Sequence, residues 1–223
     1  MEEYSTDWEL AMDEMFEQLV KMDNSGAVTV VAAPGGFSDP SNLEMEHLAC
    51  FAPGMVILGQ RELEMAKAKE IQWMKQAEAI TQACFLPYYL SATGVGRERF
   101  VFRSADPSAP VEFDPNRGDR RYLLRPEAIE SVYLMWYFTG ETKYREWGAT
   151  MWKGIRSSCR GKFGYAILRD TNDPESQEDA TESFFMAETL KYFYLLFSER
   201  ETLDLSKWVL NTEAHPLIRR DRV

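Results

Sequence analysis

Six stretches of this chain repeat their apolar residues with the period of a helix, and only short β-like pieces lie between them. That pattern restricts the fold to stacked amphipathic helices before any other property is weighed. Over Thr6 to Met22, the residues Trp8, Ala11, Met12, Met15, Leu19 and Met22 fall on one stripe, with most of the acids elsewhere. His47 to Leu58 predicts a second helix. Leu63 to Cys84, rich in Ala, Glu, Lys, Gln and Met, predicts a third from strong helix formers. Leu123 to Phe138 and Thr142 to Ser157 form a pair around the turn Thr139-Gly140-Glu141, and Thr181 to Ser198 is the last long helix. Val28 to Ala32, Phe100 to Arg103, Gly164 to Leu168 and Trp208 to Leu210 are β-like. Ser104 to Arg120 and Asp170 to Asp179 read as long loops, a size that usually means function or disorder. Helix, hairpin-like piece and helix recur in that order, which suggests an α/α toroid or a helical bundle.

The charge and the rare residues exclude several chemistries. Thirty-six acids against 25 bases leave a net charge of −11, the wrong sign for holding a phosphate backbone, so no nucleic-acid partner is expected. The longest apolar runs, Met55 to Leu58 and Tyr192 to Phe197, fall far short of the ~20 residues that cross a bilayer. Met1-Glu2-Glu3-Tyr4 is acidic and polar where a secretory signal would be basic and then apolar. Two histidines and three cysteines lack the paired short spacings of a zinc site and sit in no signature for a nucleophilic triad. Pro34-Gly35-Gly36 and Gly94-Val95-Gly96 lack the remaining glycines and the lysine of a phosphate-binding loop and read as turns. By elimination, catalysis here would rest on carboxylates or on a hard cation held by oxygen.

Four segments could carry such chemistry. In Tyr122 to Ser131, Pro126 suits a first helical position, and the residue before it is driven out of the α region. Arg125 then stands at a helix mouth with Glu127 in the first turn and Glu130 three residues on, along the same face. Both acids are either dipole partners of a helix start or working carboxylates. In Ser183 to Tyr192, Glu188 lies four residues from both Phe184 and Tyr192. That spacing predicts an acid between two rings, suited to a sugar, or else a core helix with Glu188 paired to Lys191. Asn211 to Pro216 reads as a turn, and His47 in Met45 to Phe51 as a satisfied core histidine or a site residue.

Taken in order, His47-Leu48-Ala49-Cys50-Phe51 followed by Pro53-Gly54, then Leu123 to Ser131, Glu182 to Ser198 and Asn211 to Pro216, resemble the C-terminal half of the class I α-1,2-mannosidases, glycoside hydrolase family 47. The resemblance runs from about Glu44 to His215 and its motifs are long. It implies an all-α fold, the C-terminal half of an (α/α)7 barrel with short β-hairpin insertions. Residues 1–223 would form a partial catalytic domain of that family, its N-terminal half absent. The implied activity is calcium-dependent removal of α-1,2-linked mannose from high-mannose N-glycans, with inversion.

Residue by residue, the resemblance makes Glu127 the general base that activates the attacking water. Inverting enzymes separate base from acid by roughly 6.5–9.5 Å to admit that water. Arg125, Glu130, His47, Phe184, Glu188 and Glu213 match positions around the sugar or its cation. Thr212 matches the protein ligand of Ca²⁺, through hydroxyl and carbonyl oxygens, and is implied to share a cavity with Glu127. Calcium takes six to eight oxygens, so waters and sugar hydroxyls would supply the others. Cys50 and Cys84 match the family's disulfide between neighbouring helices, which implies an oxidising compartment: endoplasmic reticulum, Golgi lumen or the outside of the cell. Cys159 is left over.

The family's general acid lies in its N-terminal half, which this sequence does not match, and general-acid help is worth roughly 10²–10⁴-fold. The chain alone is therefore expected to be inactive, with the missing half or a partner chain covering its apolar faces. The alternative is a non-catalytic, mannose-glycan-binding or regulatory fragment.

Overall fold

The computed structural model describes residues 2–32, 42–104, 106 and 109–220, so the turn expected at Pro34-Gly35-Gly36 lies outside the described residues. Helix α1 (Glu2–Glu14) continues as a π-helical turn, Met15–Leu19. The stripe buries Met12 and packs Trp8, Met15 and Leu19 against the core. Past Leu19 the expectation of helix fails. Val20–Met22 is strand β1, antiparallel to β2 (Thr29–Val31), with Val20 opposite Val31. Val20, Val30 and Val31 are β-branched and pack well on a pleated surface, and pairing overrides the helical period. Met22 is left half exposed.

Strand β3 (Asn42–Glu46) leads into a 3₁₀ turn, His47–Phe51, and then helix α2 (Ala52–Glu62), with Pro53 in its first turn where a missing N–H costs nothing. Helix α3 (Lys67–Leu90) runs past Cys84 and through Pro87. A proline inside a helix normally costs about 3 kcal/mol. Here Phe85, Pro87 and Tyr88 are all buried, and that burial offsets it. The disulfide Cys50–Cys84, with Cα atoms 5.9 Å apart, ties the 3₁₀ turn to α3, while Cys159 is buried and free.

Strand β4 (Arg99–Arg103) lies between β3 and β5 (Glu112–Phe113) in an antiparallel sheet whose Phe100, Val101 and Phe102 are buried. Helices α4 (Glu127–Thr139) and α5 (Thr142–Ser158) are joined at Gly140, whose φ of 73° gives the left-handed close that a side chain resists. A π-helical turn, Phe185–Thr189, opens α6 (Leu190–Phe197). After a 3₁₀ turn, Arg200–Leu203, strands β6 (Trp208–Leu210) and β7 (Pro216–Ile218) form a hairpin. Gly164 to Leu168 is not a strand; Tyr165 and Leu168 make isolated bridges.

Helix α4 is the hub. Eight of its residues, Ala128, Ile129 and Ser131 to Trp136, are buried. A helix that is apolar on nearly every side must be enclosed, and α2, α5, α6 and the His47 turn all pack on it. The result is a set of helix pairs around a central helix, part of an α/α toroid, with the mouth of α4 facing the loops. Among the described residues, no helix is long and apolar enough to cross a membrane.

Candidate active site

The segment before α4 is held in an unusual shape. Leu124 is fully buried with φ 61°, and its carbonyl accepts a hydrogen bond from Thr189 Oγ1 at 2.6 Å. A non-glycine residue there costs of order 1–3 kcal/mol and persists only where its surroundings fix it. The bend turns Arg125 and Glu127 to the helix mouth, as Pro126 in the sequence predicts. Pro126 has αR geometry just ahead of α4, and its carbonyl accepts the Glu130 N–H at 2.8 Å.

Glu127 is largely enclosed, and its Oε2 lies 2.9 Å from His47 Nδ1. The other ring nitrogen, Nε2, lies 2.8 Å from the Tyr88 hydroxyl. His47 is 1% exposed, so it is a satisfied core histidine and a partner of Glu127 at once. Burial pushes the Glu127 pKa up, but the hydrogen bond and attraction of His47, with Arg125 adding, hold it below the ordinary carboxylate value. A carboxylate kept ionised at a helix N-terminus is equipped to accept a proton.

Arg125 donates from Nε to Glu98 Oε2 at 2.6 Å, and its guanidinium lies 5.7 Å from the centre of the Phe184 ring. Glu98 is a site residue that the sequence did not reveal. It stands two residues after Gly96, immediately ahead of β4, in no recognisable acidic motif, and its partner is 27 residues away.

Glu130 accepts a hydrogen bond from the Tyr192 hydroxyl at 3.0 Å. Burial, reinforced by the charges of Glu127 and Glu188, pushes its pKa up to about 7 despite that bond. Glu188 is also raised, first by burial and then by repulsion from Glu127 and Glu213. A π-helical turn at Phe185–Thr189 interrupts the expected helix here; Tyr192 is buried beneath Glu130 and feels the charge of Glu188, while Phe184 stays partly exposed beside Arg125. Lys191 does not pair with Glu188 by hydrogen bond; its Nζ donates to the Ala214 carbonyl at 2.7 Å.

That bond anchors the Asn211 to Pro216 turn. Asn211 Oδ1 accepts from the N–H groups of Glu213 and His215, and Ala214, buried with φ 55°, turns the chain. Thr212 and Glu213 are exposed on this turn, with Glu213 Oε2 3.6 Å from His215 Nε2. Thr212 lines a cavity of about 550 Å³ with Glu130, Trp8, Met55, Leu58 and Trp208. Glu130 therefore sits both on that cavity and beside Glu127, while Glu127 is not among the residues lining it. The structure thus gathers His47, Arg125, Glu127, Glu130, Phe184 and Glu188 at the mouth of α4, and brings Thr212 and Glu213 to it through Glu130 and Glu188.

Among the described residues, no group of three or more His, Cys, Asp or Glu is arranged to hold a metal. The donors near the turn fit a hard cation of another kind. Thr212 offers neutral oxygens, and Glu188, whose carboxyl is raised by burial and by the charges of Glu127 and Glu213 although Lys191 and His215 oppose them, adds an acidic surround.

The family model for glycosyl hydrolase family 47 matches residues 1–219. Mannosyl-oligosaccharide α-1,2-mannosidase IA of Drosophila melanogaster is 39% identical over 84% of this chain and 28% of its own length. Mannosyl-oligosaccharide 1,2-α-mannosidase IC of Homo sapiens is 35% identical over 93% of this chain and 32% of its own length. The solved α-1,2-mannosidase from Trichoderma reesei superposes with a TM-score of 0.79 at 26% identity, covering 97% of this chain and 47% of that one. The chain thus spans about a third of the curated relatives it matches and just under half of the solved structure.

Proposed function

The chain belongs to glycosyl hydrolase family 47, and from that premise we propose that it carries the base and sugar-holding side of an inverting, calcium-dependent α-1,2-mannosidase site for high-mannose N-glycans. The observation that supports this best is the Glu127–His47 pair. It keeps an enclosed carboxylate ionised at a helix N-terminus, ready to take a proton from water. Arg125, fixed by Glu98 and laid over Phe184, offers a cation and an apolar ring face to a sugar. Glu130 and Glu188, both raised by burial and by neighbouring acids, hold protons more readily than free carboxylates and can donate as well as accept hydrogen bonds to sugar hydroxyls.

Thr212 would hold the calcium ion, with Glu127, Glu188 and Glu213 balancing its charge through water. When bound, calcium supplies a positive template for sugar hydroxyls. The proton donor to the leaving oxygen is assigned to the part of the relatives that this chain does not span. The natural setting is an oxidising one, the endoplasmic reticulum, the Golgi lumen or the cell exterior, in keeping with the Cys50–Cys84 disulfide.

The test is in two parts. Calorimetry should show calcium-dependent binding of a high-mannose oligosaccharide by this chain, lost in Arg125→Ala. Mannose release should be seen when the chain is joined to the remaining part of the family domain, and Glu127→Gln should abolish it while calcium still binds. Substantial turnover in Glu127→Gln removes that residue from the base role. Binding without turnover in the joined protein selects the alternative, a mannose-glycan binder.

A further inference from the structure

Behind Glu127 lies a polar chain that the reading above does not use. Tyr88 and Tyr122 are each 1% exposed, their rings meet edge-on with centroids 5.9 Å apart, and Tyr88 is the partner of His47 Nε2. We propose that Tyr88 is the positioning residue of this site: its hydroxyl donates to His47 Nε2, fixing the imidazole as the Nδ1–H tautomer and aiming that N–H at Glu127.

The direction follows from counting protons. A phenol carries one proton to give, and burial pushes the Tyr88 hydroxyl above the usual phenol range, so the proton stays. Tyr122 has the same need, and the Tyr88 oxygen is the acceptor that its buried hydroxyl faces, at looser than ideal geometry. If Tyr88 donates to Nε2, its oxygen remains free for the Tyr122 proton, and each donor points along the chain towards the Glu127 carboxylate. If Nε2 carried the proton instead, Tyr88 would have to turn its own proton back on Tyr122, and one buried donor would be stranded.

The surroundings are shaped for this contact. A Cβ on Gly96 would lie 2.5 Å from Tyr88 Cε2 and 2.7 Å from Cζ, so only glycine lets the phenol ring reach its place. The disulfide braces the two carriers. Cys50 stands three residues after His47, where a 3₁₀ turn brings side chains into line, and Cys84 stands four residues before Tyr88 on one face of α3. The consequence for catalysis rests on Glu127 being the base; the hydrogen-bond direction does not.

Imidazole ¹⁵N NMR reads the direction directly, because the chain has only two histidines and His215 is exposed. In the unmodified chain at neutral pH, His47 should show a protonated Nδ1 and an unprotonated Nε2. In Tyr88→Phe, and likewise in Gly96→Ala, the His47 Nε2 signal should shift as it loses its donor while Nδ1 stays held by Glu127, and the signals of His215 stay put. A proton on His47 Nε2 in the unmodified chain overturns the proposal, even if neither variant folds. So do unchanged His47 nitrogens in a folded Tyr88→Phe protein. These outcomes are independent of turnover, so failure of the base assignment through Glu127→Gln would be recognised separately.

Discussion

The Tyr192 hydroxyl donates to Glu130 at 3.0 Å, yet Glu130 still titrates near neutrality, with a pKa pushed up to about 7. One hydrogen bond from a buried phenol does not repay the removal of a carboxylate from water beside two other acids. The folded protein therefore binds a proton that the unfolded chain, with an ordinary value of 4.5, gives up. Between those two values the native state is the more protonated, so stability falls as pH rises through the window and the full penalty is present above it.

Glu130→Gln removes the penalty and keeps an acceptor for Tyr192. In calcium-free buffer it should be more stable than the unmodified chain at pH 8, by on the order of 1–3 kcal/mol. The gain should shrink steadily towards pH 5.5. Urea denaturation at several pH values checks this, and an advantage that does not change with pH would remove Glu130 as its source.

Glu98 and Arg125 make the other costly pair, with side chains 12% and 22% exposed and one carboxylate oxygen of Glu98 buried without a partner. Removing one member leaves the other charge enclosed and alone. Glu98→Ala should therefore destabilise the fold by about 2–4 kcal/mol, well above the cost of losing an exposed pair. The double variant Glu98→Ala with Arg125→Met should recover much of that loss. Chemical denaturation of the four proteins of the cycle measures the coupling, and simple additivity would mean that the pair is independent of its burial.

What could be read from the sequence was whatever depends on neighbours along the chain. Helix α5 matches its expected limits to one residue, Gly140 closes α4 where a turn residue stood, and β6 coincides with the expected Trp208 to Leu210. What stayed hidden depends on distant contacts. The π-helical turn at Phe185–Thr189 has no signature in residue type. Strand β3 exists because β4 pairs with it from more than fifty residues away. In the site, Glu127 and Arg125 announced themselves through Pro126. Glu98, Tyr88 and Tyr122 did not, since each works through a partner that only the fold brings near.

Thr212 is exposed, so its replacement by alanine should leave calcium-free stability within about 0.5 kcal/mol of the original. If it holds the ion, the difference emerges only when calcium is added. A ligand that binds the folded state alone stabilises by about 2.7 kcal/mol at one hundred times its dissociation constant. The unmodified chain should gain stability with calcium and lose it again with chelator, while Thr212→Ala should gain far less. An equal gain in both proteins, followed by thermal denaturation, would move the ion away from Thr212.

The Cys50–Cys84 bond closes a loop of 34 residues that contains the whole of α2 and most of α3. Restricting a loop of that length in the unfolded chain is worth about 3–4 kcal/mol, so reduction should lower stability by that order. The position of the bond adds a local effect to the global one. Cys50 and Cys84 sit one turn from His47 and Tyr88, and α4 packs directly on the His47 turn. Replacing both cysteines with serine should therefore loosen the His47–Glu127 contact more than the distant α4–α5 turn. Amide hydrogen exchange can make the comparison. Protection should fall first in residues 47–51 and the first turn of α4, while the amide of Gly140, bonded to the Trp136 carbonyl, keeps its relative rank. A uniform drop across all these amides would show that the disulfide acts on the unfolded chain alone and does not brace the site.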